Sequence, residues 1–156
     1  MKTPILLIMF DRPDITEKVL QSIRSVKPQR LFISADGPRK DHPDEIKKTA
    51  LTRQIVNKID WPCEVKTNFY ELNQGSKLGP ASAITWFFSH VEEGIILEYD
   101  CLPDLSFYQF CETLLNRYRD NEKIMHISGN NYLFGKVKLS ADYYFSVIPL
   151  IWGWAT

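Results

Sequence analysis

Apolar positions along this chain fall into two alternating rhythms. Ile5, Leu6, Leu7, Ile8, Met9 and Phe10 form an unbroken run, the pattern of a strand buried on both faces. Pro13 and Asp14 then open a helix with Val19, Leu20, Ile23 and Val26 as its apolar stripe, and Pro28 stops it. Asp14 and Glu17 have the spacing of a capping box. A second strand is predicted over 31–35, ended by Asp36-Gly37-Pro38, with a polar loop over 39–41. Pro43 starts a second helix carrying Ile46, Ala50, Leu51, Ile55 and Ile59, which ends before Trp61-Pro62. Residues 64–70 alternate loosely, as in a third strand.

The stretch 73–80 reads as a glycine-containing loop. Ile84, Phe87, Phe88 and Val91 follow at helical spacing. Residues 94–97 predict a short buried strand running into Glu98-Tyr99-Asp100. Ser106 is the expected N-cap of a helix marked by Phe107, Phe110, Cys111, Leu114, Leu115 and Tyr118. Further strands are expected over 124–127 and 143–148. Strands alternating with helices predict an α/β protein of three layers, α/β/α. Its sheet is mostly parallel with right-handed crossovers, and ligands belong at the carboxyl ends of the strands.

The 156 residues suit one domain, 1–156. The last residues, from Tyr144 to Thr156, are apolar and aromatic and are expected to be buried, either as a strand in the sheet or because further chain follows Thr156. Nineteen basic residues balance nineteen acidic ones, so no general basic face is available for nucleic acid. Three cysteines, an odd number, argue against a disulfide framework and for a reducing cytoplasm. No apolar run has the roughly 18–20 residues that span a bilayer.

Chemistry-bearing residues collect at the predicted strand ends. The first strand ends at Phe10-Asp11-Arg12, the second at Asp36-Gly37, the fourth at Glu98-Tyr99-Asp100. Each acid alone has an ordinary account as a cap or turn residue. Together they concentrate negative charge on one rim, where like charges repel. Glu98 and Asp100 flank one residue of an extended segment, so their side chains point the same way. A hard cation such as Mn²⁺ or Mg²⁺ would compensate them, with phosphate supplying further oxygens. Arg12 and Lys77 are candidates for neutralising a diphosphate.

Several motifs are missing. There is no G-x-G-x-x-G after the first strand and no G-x-x-x-x-G-K-[ST], and Gly75-Ser76-Lys77 has the wrong glycine spacing. His42, His90 and His126 lack zinc-ligand spacing with the cysteines and are expected to be structural. Cys101 is expected to be a packed thiol, because the adjacent Asp100 disfavours its thiolate.

These segments in this order resemble the GT-A glycosyltransferases, nucleotide-diphospho-sugar transferases, and are most similar to bacterial relatives of N-acetylglucosaminyltransferase I. The residues that carry the resemblance are Pro4 through Leu7, Asp11-Arg12-Pro13, Ile33-Ser34-Ala35-Asp36-Gly37-Pro38, Gly94 through Asp100, Met125 through Asn130, and Ile151-Trp152-Gly153-Trp154-Ala155-Thr156. The resemblance covers nearly the whole chain. It implies a Rossmann-like GT-A fold and transfer of a sugar from a nucleotide donor, a UDP-sugar, to an acceptor hydroxyl with inversion. Asp36 then hydrogen-bonds the base, and Arg12 lies near the phosphates. Glu98-Tyr99-Asp100 resembles the D-x-D motif, with Asp100 as the metal ligand and Glu98 on the ribose or a metal-bound water. Phe10, Asp11, Gly37, Lys77 and Tyr99 complete the expected donor site, and Mn²⁺ or Mg²⁺ is the expected cofactor. Tyr99 departs from the family, whose close relatives carry Glu-Asp-Asp. The general base is expected beyond Thr156. The acceptor, a glycan, a lipid-linked sugar or a protein, is not named by the sequence; a lipid-linked one would bring a cytoplasmic enzyme to the inner face of a membrane. Two other readings stay open: a sugar-nucleotide-binding module without turnover, and an unrelated α/β protein whose acids serve metal-dependent phosphoryl transfer.

Overall fold

The first apolar run becomes the strand around which the sheet is built. The computed structural model describes residues 1–137 and 140–156. In chain order it contains β1 (Ile5–Met9), α1 (Pro13–Val26), β2 (Arg30–Ala35), α2 (Pro43–Arg53) continued by a 3₁₀ turn (Gln54–Lys58), β3 (Glu64–Phe69), α3 (Gly75–Phe88), β4 (Ile95–Glu98), α4 (Ser106–Tyr118), β5 (Ile127–Ser128) and β6 (Trp154–Ala155). The sheet order is β3-β2-β1-β4-β6-β5. The first four strands pair in parallel, and β6 runs antiparallel to both β4 and β5.

Every β1 side chain is buried, so alternate residues feed two cores. On one face Ile5, Leu7 and Met9 pack with Val19 and Ile23 of α1 and with Tyr108 and Cys111 of α4. On the other, Leu6, Ile8, Phe32 and Ile96 pack with Ala83 and Phe87 of α3. Phe32 meets Phe87 edge to face, with ring centroids 5.0 Å apart. The expected α/β/α architecture with a mostly parallel sheet is present. No helix among the described residues is long and apolar enough to cross a membrane.

Several local expectations are corrected. The Asp14–Glu17 capping box is absent. Pro13 holds the first helical position, Asp14 lies inside the first turn, and no side chain caps α1. Of the expected apolar stripe, Ile55 is buried and Ile59 packs against the core, but within α2 itself Ile46, Ala50 and Leu51 are exposed, while Glu45, Thr49 and Thr52 are buried. Two of the buried side chains, Thr49 and Thr52, are short hydroxyls. They hydrogen-bond back into their own helix, Thr49 to the Glu45 carbonyl at 2.8 Å and Thr52 to that of Lys48 at 2.9 Å. Glu45 is satisfied by Arg39, whose backbone N–H and guanidinium both donate to it.

The loop expected over 73–80 is mostly helix, since α3 starts at Gly75 and runs through Pro80. That helix ends at Phe88, so Val91 packs from the following segment. Ser106 is not the cap of α4; its N–H and hydroxyl both donate to Asp104. The strand expected over 124–127 begins only at Ile127. Residues 143–148 form no strand, and the segment expected to be buried is largely exposed: Phe145 is 66% and Val147 98% accessible. The strand lies further on, at Trp154–Ala155, where Ala155 fills a slot between Ile95 and Ile127.

Candidate functional site at the carboxyl edge of the sheet

In the order β3-β2-β1-β4-β6-β5, the chain leaves β1 for β2 on one side and returns through β4 on the other. The crevice between β1 and β4 is thus the switch point, where α/β sheets bind ligands. The register pairs Ile8 with Glu98 and Met9 with Ala35, so the three strands finish level. The structure therefore brings Asp11 and Arg12, Asp36 and Gly37, and Glu98 through Asp100 to one rim.

Across the switch point, the Tyr99 N–H donates to the Ile8 carbonyl at 2.8 Å. The Arg12 guanidinium lies over the Tyr99 ring, 5.9 Å from its centroid. Phe10 and Asp11 are half-buried, whereas Arg12 is exposed. The Cys101 N–H donates to the Glu98 carbonyl at 2.9 Å, turning the chain so that Asp100 is exposed beside Glu98. Glu98 is half-buried, and its carboxyl is pushed above the usual carboxylate range, first by burial and then by the charge of Asp100. Tyr99 is also pushed up, mainly by burial.

A half-buried glutamate beside a second acid is a fitting place for a cation, whose charge would offset the repulsion between them. Among the described residues no group of three or more His, Cys, Asp or Glu side chains could hold a metal ion. Glu98 and Asp100 thus do not belong to a closed protein cage; a hard cation held there would need oxygens from outside the chain.

Asp36 is engaged more deeply than its sequence position suggests. One carboxylate oxygen accepts from the N–H of Gly37 at 2.8 Å and of Gln74 at 2.7 Å. The other accepts from the Asn73 side-chain amide at 3.0 Å and the Gly75 N–H at 3.2 Å. Two of these donors open α3, so Asp36 caps a helix distant in sequence. Four partners occupy the lone pairs that a base contact would need. A side chain at Gly37 would place its Cβ 2.5 Å from the Leu72 carbonyl carbon, so only glycine lets the β2 end pass this segment. Lys77 lies in the first turn of α3 and is exposed, not on a loop as expected.

Two rim residues escaped the sequence reading. Arg53 donates to the carbonyls of Asp36 and Tyr70 and lies over Phe69, with its Nε buried and without a partner. Asn130 follows β5, and its Nδ2 is also buried without a partner. On that side a cavity of about 1300 Å³ opens between α4, the β5 end and residues 142–153, reaching Asp100 and Cys101. His90 Nδ1 pairs with the Trp86 carbonyl, and His126 Nε2 pairs with the Leu150 carbonyl while its ring stacks on Trp154. The Cys101 thiol is pushed up, mainly by burial.

No protein-family model matches the chain, and no curated protein sequence matches it either. Among solved structures it is similar to 4-diphosphocytidyl-2C-methyl-D-erythritol synthase from Anaerococcus prevotii DSM 20548. The TM-score is 0.51 and the identity 13%, over 98% of this chain and 70% of that one. At that identity the likeness shows the fold alone, a Rossmann-like α/β arrangement.

Proposed function

We propose that this chain binds a nucleoside-diphosphate sugar across the carboxyl edge of its sheet and transfers the sugar to an acceptor hydroxyl, with a UDP-sugar as donor. The observation that carries the reading is the Arg12 guanidinium over Tyr99, the residue between Glu98 and Asp100, at the β1/β4 switch point. One positive group and two acids on one rim support a diphosphate held there together with its counter-ion. The similar solved structure is named for a diphosphocytidyl compound, which is also a nucleoside diphosphate joined to a polyol.

In this reading the base lies at the β2 end, against the backbone of Asp36 and Gly37. The Asp36 carboxylate holds that backbone to α3 and does not itself read the base. Phe10 and Asp11 border the nucleoside from β1, and Arg12 faces the phosphates with Lys77 as a second charge. Asp100, assisted by Glu98, would hold Mn²⁺ or Mg²⁺, which stabilises negative charge on the departing diphosphate. The acceptor hydroxyl would attack the sugar C1 directly, its proton passing to a general base. Tyr99, with no second acid between Glu98 and Asp100, supports a second reading in which the chain binds the donor without turnover.

Calorimetric titration of UDP with and without Mn²⁺ tests the proposal. Metal-dependent binding lost in Asp100→Ala is expected, and no binding in either condition overturns both readings. Release of UDP from a UDP-sugar separates transfer or hydrolysis from binding alone.

A further inference from the structure

Buried polar atoms in native proteins almost always have partners, and an orphan marks a place where something else is expected to bind. The Asn130 carboxamide is such an orphan, since its Nδ2 is shut away from solvent and donates to nothing. Its position is not loose. The Asn130 N–H donates to Ser128 Oγ at 3.1 Å, and the preceding Gly129 N–H donates to the Gly153 carbonyl at 2.9 Å. The Phe107 ring lies so close to Gly129 that a Cβ there would come within 2.4 Å of it. The backbone under Asn130 is therefore clamped between β6 and α4, and its half-buried side chain lines the cavity that also reaches Asp100.

We infer that Asn130 is a specificity-determining residue that donates a hydrogen bond from its carboxamide to a hydroxyl of the transferred sugar. The inference rests on the donor-site reading above. A nucleoside-diphosphate sugar is a linear molecule, and the rim presents its features in the order β2, β1, β4, β6, β5. With the base at β2 and the diphosphate between Arg12 and Asp100, the sugar extends toward β6 and β5. Four inter-strand steps of about 4.8 Å separate β2 from β5, roughly 19 Å, comparable with an extended sugar nucleotide. Asn130 stands at the far end of that line. A half-turn about its Cβ–Cγ bond, a soft torsion, would bring Nδ2 out of its enclosed position toward the cavity that Asn130 lines. The donor that lacks a partner in the free protein then meets a sugar oxygen.

The test uses the full chain with Mn²⁺ and compares UDP with UDP-glucose and UDP-N-acetylglucosamine as probes. Asn130→Leu removes both poles without adding charge, and Asn130→Ala guards against a packing effect of leucine. In both variants UDP affinity is expected to stay within about twofold, while affinity for at least one sugar nucleotide falls about tenfold. The melting temperature is expected to hold or rise by about 2–4 °C in Asn130→Leu, because an unpaired buried donor is removed. A sugar-to-UDP affinity ratio unchanged in both variants overturns this inference alone. So does a marked fall in melting temperature with equal loss for all three ligands, which would mean a structural residue. Failure of the unsubstituted chain to bind UDP overturns the donor-site reading and this inference with it.

Discussion

The carboxylate of Asp36, at the end of β2, accepts a hydrogen bond of 2.7 Å from the backbone N–H of Gln74, at the start of α3. That contact ties together two elements separated by α2 and β3, and it holds the β2 end of the rim. With its three companion hydrogen bonds it makes Asp36 a cap and a brace. Asp36→Ala is expected to destabilise the protein by about 1–3 kcal/mol in urea denaturation. Asp36→Asn should fall between the two, because an amide retains one accepting oxygen. In calorimetry both variants should weaken uridine and cytidine nucleotides alike, since a saturated carboxylate does not choose between bases. A changed base preference would show that the carboxylate leaves its cap to meet the ligand.

Glu98 gives the site a pH dependence of defined sign. Its folded pKa lies above its unfolded value, through burial first and Asp100 second. Ionising it therefore costs stability, which is fully retained below the ordinary glutamate value of about 4.3 and falls as pH rises through the higher folded value. Cation binding needs the ionised form. Mn²⁺ affinity should therefore climb with pH through a midpoint above the ordinary carboxylate range. Glu98→Gln should remove that step in a Mn²⁺ titration repeated across pH. Asp100→Asn should shift the titration of the Glu98 carboxyl itself, followed by NMR without metal, down only in part, because burial remains the larger cause.

Arg12 over Tyr99 is an exposed cation–π pair, worth about 0.5–1 kcal/mol in the free protein. Its larger effect is expected in binding, where the ring sets the angle at which the guanidinium faces a diphosphate. Arg12→Ala should weaken UDP about 10- to 100-fold, as for a lost charged hydrogen bond. Arg12→Lys should restore little of it, because an ammonium lacks the planar fork and stacks less well. Tyr99→Phe keeps the ring and should stay within about twofold, while Tyr99→Ala should approach the Arg12 loss. Nucleotide titrations of the four variants check this, and equal affinity for Tyr99→Ala and the unsubstituted chain would refute it.

The strands nearest the site were legible because continuous apolar runs at 5–10 and 94–97 leave few alternatives to burial on both faces. Their ends carried the candidate acids, and parallel topology brought those ends together. α2 was misread because Ile46 and Leu51 satisfy a helical period while the packed face is Glu45, Thr49 and Thr52. Polar residues can fill a core when each finds a partner within reach, and a hydropathy count does not see partners. The cap of α3 by Asp36 was hidden for a similar reason, since 38 residues separate Asp36 from Gln74. Ile46→Glu is accordingly expected to change stability by no more than about 0.5 kcal/mol, as at an ordinary surface site. Thr52→Leu should cost about 1–3 kcal/mol by overpacking. Thermal melts of the pair would reverse in order if the sequence stripe were the buried face.

The second face of the sheet makes the last prediction. Among the described residues it is α3 that covers this face, through Ala83 and Phe87 set against Leu6, Ile8, Phe32 and Ile96. Phe87 is fully buried, meets Phe32 edge to face, and fills the space over Gly94. Phe87→Ala should therefore cost about 3–5 kcal/mol, the lost burial plus the cavity left behind. The effect should reach the site, because the amino end of the same helix is held by Asp36. Nucleotide affinity of Phe87→Ala should fall more than that of an equally destabilised variant on the opposite face, such as Ile23→Ala in α1. Equal affinities at matched stability would mean that α3 supports the sheet without positioning its rim.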